Sequence, residues 1–434
     1  PLLSVVRLFT MIKICFLYLF FLFFLYSCTT EFDQNKVTDK FFFKNNNVKK
    51  EVLPDDNSLN SDYAAVLNEN TKIINDTIKV ILPSKNRYKY LSLSFLNSLE
   101  MAIHDFNNEK LVYDIIFYEN DTELDNIFQT NSKQGQVFIG PLTSEDTSII
   151  KKYCDKNILI FSFASNRNIA GECVYLFNFF IEDDLRAIFN FFDINSKVAL
   201  SYPDNNYNNY INSIIKDFAN TSDATFLYSL SYDENLENIR DVIRQLGKYD
   251  YRKTELERQK KLLLEKNDEI SLASLKKLEK FETIGDLDFN NLIISDGNLR
   301  ILEIAPLLPF YDIDPNHVRF VGTGLWDERS FFDEPSLQRA IFPGIEETKR
   351  KKFINNYVEL YKIPPPRTAT IIYDLAALLN FILTRYETVN EIRNFLKENN
   401  NFNGLDGKFL IKNNIIQREF SILQIENNDA KIIQ

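Results

Sequence analysis

Six polar side chains stand directly after apolar, β-prone runs, where a doubly wound sheet would present them to a ligand. Thr143 and Ser144 follow Gln136–Ile139, and Ser165 and Asn166 follow Ile158–Phe163. Tyr202 follows Val198–Ser201, and Asp296 follows Asn291–Ser295. Loops that pass from strand to helix offer hydroxyls, backbone N–H groups and helix N-termini, which suit a carboxylate or phosphate. Asp296 carries the opposite charge and could pair with an ammonium. Each residue taken alone reads first as an ordinary N-cap or turn former, and it is their joint occurrence at several strand ends that brings the ligand reading level with it. Arg167 could hold an anion or salt-bridge a nearby carboxylate, and Trp326 could stack over a ligand or simply pack.

Catalytic chemistry has little to work with. The chain carries no nucleophile elbow, no P-loop and no dinucleotide glycine fingerprint. Its two histidines, His104 and His317, sit in no acid–base constellation. Carboxylates are plentiful, but nothing in the sequence pairs two of them across a cleft. The expectation is a binding protein and not an enzyme, with no cofactor. A metal site is not expected either, because C-x-x-C motifs and histidine clusters are missing.

Four cysteines are present. Cys15 lies in a leader-like segment and Cys28 closes it. Cys154 and Cys173 remain, either as a disulfide in an oxidising compartment or as two buried thiols.

The leader is a basic start, Arg7 and Lys13, ahead of an apolar run from Ile14 to Tyr26. That run is shorter than the ~20 residues a membrane-spanning helix needs, and its order is that of a secretory signal. Residues 1–10 precede Met11 and leave the true start open. The run ends Leu25-Tyr26-Ser27-Cys28, which resembles the lipobox of bacterial lipoproteins. That resemblance implies lipidation of Cys28 after cleavage; a plain cleaved signal or an uncleaved anchor is the alternative. Thr29 after the cysteine, in place of Asp, resembles lipoproteins sorted to the outer membrane. A polar stretch from Cys28 to about Asp76 reads as a flexible tether. The expected location is the cell envelope, facing the periplasm. The formal charge of −11 argues against nucleic acid, which demands a clustered basic patch.

From Thr77 onward, strands and helices alternate. Leu91, Phe95, Leu99, Ala102 and Phe106 mark one apolar helix face. The alternation predicts an α/β fold with two doubly wound parallel sheets, one per lobe. Residues 249–282 lack Gly and Pro and are rich in Lys and Glu, with Leu272, Leu275, Leu278 and Phe281 at spacing three. They predict a helical arm in the second lobe, either a solvated hairpin packing by one face or a partner-binding element. The expected divisions are a signal at 1–27, a tether at 28–76 and an N-terminal lobe at 77–190. A C-terminal lobe follows at 191–325, with the insertion 249–282, and 326–434 returns to the first lobe and adds C-terminal strands.

Several stretches resemble the type I periplasmic binding proteins, the fold of branched-chain amino-acid receptors. Val137-Phe138-Ile139-Gly140-Pro141 with Ser144, and Ile158 through Ser165, look like that family's first ligand loops. The run Ser165 to Gly171 followed by Val174-Tyr175-Leu176-Phe177 is similar to a subgroup of penicillin-binding protein activators. Gly322-Thr323-Gly324-Leu325-Trp326 and Gly404-Leu405-Asp406-Gly407 with Arg418 are similar to it too. The resemblance covers roughly residues 77–425. It implies either regulation of a peptidoglycan synthase or, alternatively, capture of an amino acid or similar small polar solute for an ABC permease. Under it, Thr143, Ser144, Ser165, Asn166, Tyr202 and Asp296 form the candidate ligand set.

Overall fold

The apolar runs of the first lobe become strands β1 (Thr77–Pro83), β2 (Val112–Tyr118), β3 (Val137–Ile139), β4 (Leu159–Ser162) and β5 (Val174–Leu176). The computed structural model describes residues 71–73, 77–297, 299–345, 347–398 and 400–434. The leader, Cys28 and nearly all of the expected tether lie outside these described residues.

β1 to β5 pair in parallel, and helices α1 (Lys89–Phe106), α2 (Asp121–Asn131) and α3 (Ser144–Ile150) link the first four. The apolar face expected on α1 is the one that buries Phe95, Leu99 and Ala102. Its buried serines Ser94 and Ser98 return their hydroxyls to carbonyls one turn back, the way a helix hides such groups. Asn107 ends it in the left-handed region, which asparagine tolerates well.

The second lobe begins with α4 (Ile181–Phe191), then β6 (Lys197–Pro203), α5 (Asn206–Asn220), β7 (Thr225–Tyr232) and α6 (Ile239–Leu246). After a helical hairpin come β8 (Asn291–Ile294), α9 (Leu299–Ile304), α10 (Leu307–Phe310), β9 (Arg319–Gly322), α11 (Arg329–Phe332) and β10 (Ile341–Gly344). Helices cover both faces of this sheet, so its central strand β8 is buried throughout and apolar after Asn291. β8 shows it residue by residue. Leu292 and Ile294 enter one core with Ile301 and Trp326, whereas Ile293 enters the other with Leu185 and Ile211.

The chain returns through α12 (Glu347–Tyr361), α13 (Ala369–Leu383) and α14 (Val389–Lys397), with α12 and α13 packed on α1. β11 (Phe402–Gly404), β12 (Gly407–Lys412) and β13 (Ile415–Arg418) extend the first sheet to the order β11-β12-β13-β5-β4-β3-β1-β2. β14 (Ser421–Glu426) and β15 (Asp429–Ile432) extend the second to β15-β14-β10-β9-β8-β6-β7. Both sheets are therefore mixed, with a parallel centre and antiparallel additions at one side.

Three crossings join the lobes: β5 into α4, β10 into α12, and β13 into β14. Two divisions move relative to expectation. The return to the first lobe comes after β10 and not at 326, because Ile341 pairs beside Val321 in the second sheet. Helix α4 likewise belongs to the second lobe, since Ile181, Leu185 and Ile188 fill its core. The end of the expected tether is also tied down. Ile73 donates to Glu387 O at 2.8 Å, Val389 donates to Thr71 O at 3.0 Å, and Ile73 is buried.

The insertion is a hairpin of α7 (Tyr249–Lys266) and α8 (Glu269–Leu278). Leu256 is the buried residue of α7, Arg244 of α6 pairs with Asp250 of α7 at 2.6 Å, and Ile270, Leu264 and Phe281 are left exposed.

Candidate functional site

The first loop at the lobe junction begins where β3 ends. Gly140 has φ +98°, and a Cβ there would lie 2.1 Å from Ile81 O, so only glycine lets the loop pass β1. Pro141 and Leu142 follow, and Thr143 caps α3 by accepting from Asp146 N–H at 3.1 Å. Asp146 is buried beneath, accepting from the Tyr118 hydroxyl at 2.7 Å. Ser144 Oγ accepts from Asn166 N–H at 3.0 Å, which ties the loop after β3 to the loop after β4. Asn166 in turn accepts from Asn168 N–H and opens the short turn Arg167–Ile169, while Ser165 just before it stands exposed.

That turn carries Arg167 across to the second lobe. Its Nε lies 3.3 Å from Glu182 Oε1 in the first turn of α4, and its guanidinium lies over the Phe180 ring at 5.2 Å. The same Glu182 oxygen accepts from the Tyr210 hydroxyl at 2.8 Å. Of the two readings open to Arg167, the salt bridge is the one realised. Next to it, Asp184 accepts from Gly324 N–H at 2.8 Å. Burial holds its carboxyl up to about 7, against the lowering effect of that hydrogen bond. Desolvation around the Tyr207 phenol, with the charges of Asp184 and Glu182, pushes it up, although part of that side chain still reaches the surface.

The second-lobe candidates are placed differently. Tyr202 lies in the core between α4 and α5, with its hydroxyl accepting from Asn212 Nδ2 at 3.0 Å. The apolar strand β6 points that ring into its own lobe. Asp296 is buried and already served from within: Arg300 Nη2 at 2.6 Å, the Tyr232 hydroxyl at 2.8 Å and Gly297 N–H at 2.7 Å. Trp326 is a packing residue. It is fully buried, and its indole N–H donates to Asp296 O at 2.9 Å. Thr143, Ser144 and Asn166 are thus brought together, whereas Tyr202 and Asp296 are held inside the other lobe. Cys154 and Cys173 are bonded to each other, with S–S at 2.07 Å.

Sequence reasoning missed a buried ionic cluster at the three crossings. Arg367 Nη1 binds Asp406 at 2.6 Å, and Arg367 Nε lies 3.3 Å from Asp327 Oδ2. Arg350 Nη1 reaches the same Asp327 oxygen at 2.8 Å and Asp406 at 3.6 Å. Arg418 approaches Asp374 at 3.5 Å, and its backbone N–H donates to Asp183 Oδ2 at 2.9 Å. Arg367 and Arg418 both lie over the ring of Phe179, at 4.1 and 4.8 Å. Asp327 comes from the second lobe, while Arg367, Asp374 and Asp406 come from the first. The cluster therefore fastens one lobe to the other. One signal was legible in advance: Asp374 is the sole charge in the fifteen residues of α13. A buried carboxylate in such a helix demands a cation, which Arg418 supplies.

The architecture has counterparts of known structure. A branched-chain amino-acid ABC transporter protein from Rhodopseudomonas palustris superposes with a TM-score of 0.59 at 10% identity, over 83% of this chain and 96% of that one. The fold is that of the type I periplasmic binding proteins. LpoA from Haemophilus influenzae superposes on this type I fold with a TM-score of 0.56 at 13% identity, over 84% of this chain but only 59% of LpoA. Isoleucine-bound LivJ from Streptococcus pneumoniae gives 0.52 at 15% identity, over 82% of this chain and 97% of LivJ. These type I neighbours are binding or regulatory proteins and not enzymes. No protein-family model and no curated protein sequence matches the chain.

Proposed function

We propose that this chain is a non-enzymatic envelope lipoprotein, anchored through Cys28, whose type I domain regulates a penicillin-binding protein in peptidoglycan synthesis. One observation carries the choice over a solute receptor. The groups that would greet an amino acid are engaged within the protein itself: Asp296 by Arg300, Ser144 by Asn166, and Arg167 by Glu182. A receptor cleft keeps such groups free, because a ligand must supply more hydrogen bonding than it displaces. The likeness to LpoA, a penicillin-binding protein activator lipoprotein, supports the same reading. So does the α7–α8 hairpin, which presents apolar side chains outward from a second-lobe surface.

Affinity purification of the full-length chain from membranes, followed by identification of captured penicillin-binding proteins, tests this. Capture of one, with reduced peptidoglycan synthesis on deletion of the gene, is the expected outcome. An intact synthesis rate and no captured synthase would refute it. A second reading, a substrate-binding protein of an ABC importer, is favoured by one fact: LivJ and the Rhodopseudomonas palustris protein are matched over nearly their whole lengths. It predicts a thermal shift with some amino acid or amide; a flat response across such a library counts against it.

A further inference from the structure

Among the described residues, the two sheets end in four strands that have a neighbour on one side only: β11 and β2 in the first, β15 and β7 in the second. These ends are built differently. β11 has three residues and β15 has four. β7 is longer, but its register against β6 slips between Val198 and Ala199, which sets Leu227 out of the ladder. Short strands and bulges both keep an edge from pairing with another chain. β2 has neither. All seven of its residues pair with β1 in unbroken register, from Val112 beside Thr77 to Tyr118 beside Pro83. Its one charge, Asp114, is held by Lys79 of β1. Val112, Ile115 and Phe117 are left exposed, at 54, 37 and 45%.

We infer that β2 is a self-association edge whose occupant is β2 of a second copy of this chain, running antiparallel about a two-fold axis through Ile115. The strand's own residues favour that occupant. The Tyr118 hydroxyl turns to Asp146 beyond α3's cap, so alternation puts Tyr113, Ile115 and Phe117 together on the opposite face. Along that face the order is aromatic, β-branched, aromatic, and it reads the same in reverse. A two-fold at Ile115 therefore sets Tyr113 of each copy beside Phe117 of the other, with the two Ile115 side chains meeting between them. Aromatic and β-branched pairs of this kind stabilise adjoining strands. On the other face Asp114 comes opposite Ile116, and Val112 opposite Tyr118, so no charge faces its like. Each copy offers the same patch that it receives, which closes the assembly at two. The pairing also supplies partners for the outward N–H and C=O groups of both strands. The edge lies on the first lobe and the α7–α8 hairpin on the second, so the inference stands apart from the synthase reading.

Sedimentation equilibrium of the full-length chain in detergent tests it. Wild type should dimerise reversibly. Ile115→Lys and Ile115→Glu, both at an exposed position, should each weaken the dimer by roughly tenfold or more, because like charges then meet on the axis. An equimolar mixture of the two variants should dimerise again, since opposite charges meet there. A variant that merely disturbed its own strand would gain nothing from the mixing. In wild type, which needs no variant to fold, amide exchange across residues 113–117 should slow as protein concentration rises. A wild type that stays monomeric at about 0.1 mM, or a mixture as monomeric as its components, would overturn the inference. So would exchange that slows only when a second protein is added, which would give the edge to another chain's strand.

Discussion

Arg300 grips Asp296 through two nitrogens, with Nε at 2.9 Å from Oδ2 and Nη2 at 2.6 Å from Oδ1. The carboxylate is buried and the arginine one turn along α9 is half-exposed, so the pair closes the end of β8 from inside. An acid at a strand end, which sequence logic offers to a ligand ammonium, is here a strut of its own lobe.

Removing the arginine should therefore cost stability. Arg300→Ala leaves Asp296 with the Tyr232 hydroxyl and Gly297 N–H but without its counter-charge. A loss of about 2–3 kcal/mol is expected, the low end for a broken buried pair because Arg300 reaches solvent. Urea unfolding of both proteins measures it. A change below ~0.5 kcal/mol would mean that Asp296 is free to serve something else.

Asp184 gives stability a pH dependence of known sign. Burial holds its folded-state value at about 7, above the ordinary carboxylate range. Between pH ~4 and 7 the folded form binds more protons than the unfolded one, so this group's contribution falls as pH rises through that window. Asp184→Asn keeps an acceptor for Gly324 N–H and removes the titration. Thermal melts should show the variant gaining on wild type from pH 5 to pH 8. A constant difference across that range would contradict the assignment.

The Cys154–Cys173 bond spans a separation of 19 residues. On the loop-entropy account, a closed loop of this size is worth about 3 kcal/mol. Converting both cysteines to alanine should lower unfolding free energy by that order. Mass spectrometry of the unreduced protein should find no free thiol at either position in wild type.

Asp406 is the hub on which Arg367, Arg350 and the Thr370 hydroxyl converge, and it is fully buried. Asp406→Asn keeps the shape but leaves the guanidiniums with one carboxylate fewer. The expected loss is about 3–5 kcal/mol, readable in urea unfolding. A near-neutral effect would show that this buried cluster adds nothing to the stability that packing already provides.

Much of the fold was legible because burial imposes periodicity. β3 is apolar throughout, and β4 and β8 are apolar but for Ser162 and Asn291, since helices cover both of their faces, and such runs are visible in any sequence. Helix α1 betrayed its buried face by spacing, and the hairpin after α6 betrayed itself by lacking Gly and Pro. The loops of the candidate site were legible as loops: Thr143, Ser144 and Asn166 do stand at strand ends. Tyr202 misled because a strand end says nothing about which way a ring turns, and here it turns into the core.

By itself, the order of residues settled the alternation of strands and helices, the leader-like start, the cysteine inventory and the acidic balance. These follow from local composition and spacing. Pairing was beyond it. That Arg367 and Arg350 meet Asp327 from the other lobe, that Arg418 meets Asp374 and that Arg300 answers Asp296 depend on where three crossings bring distant segments together. A charge announces its need for a partner in the sequence, but which partner meets it is decided only when the chain closes around both.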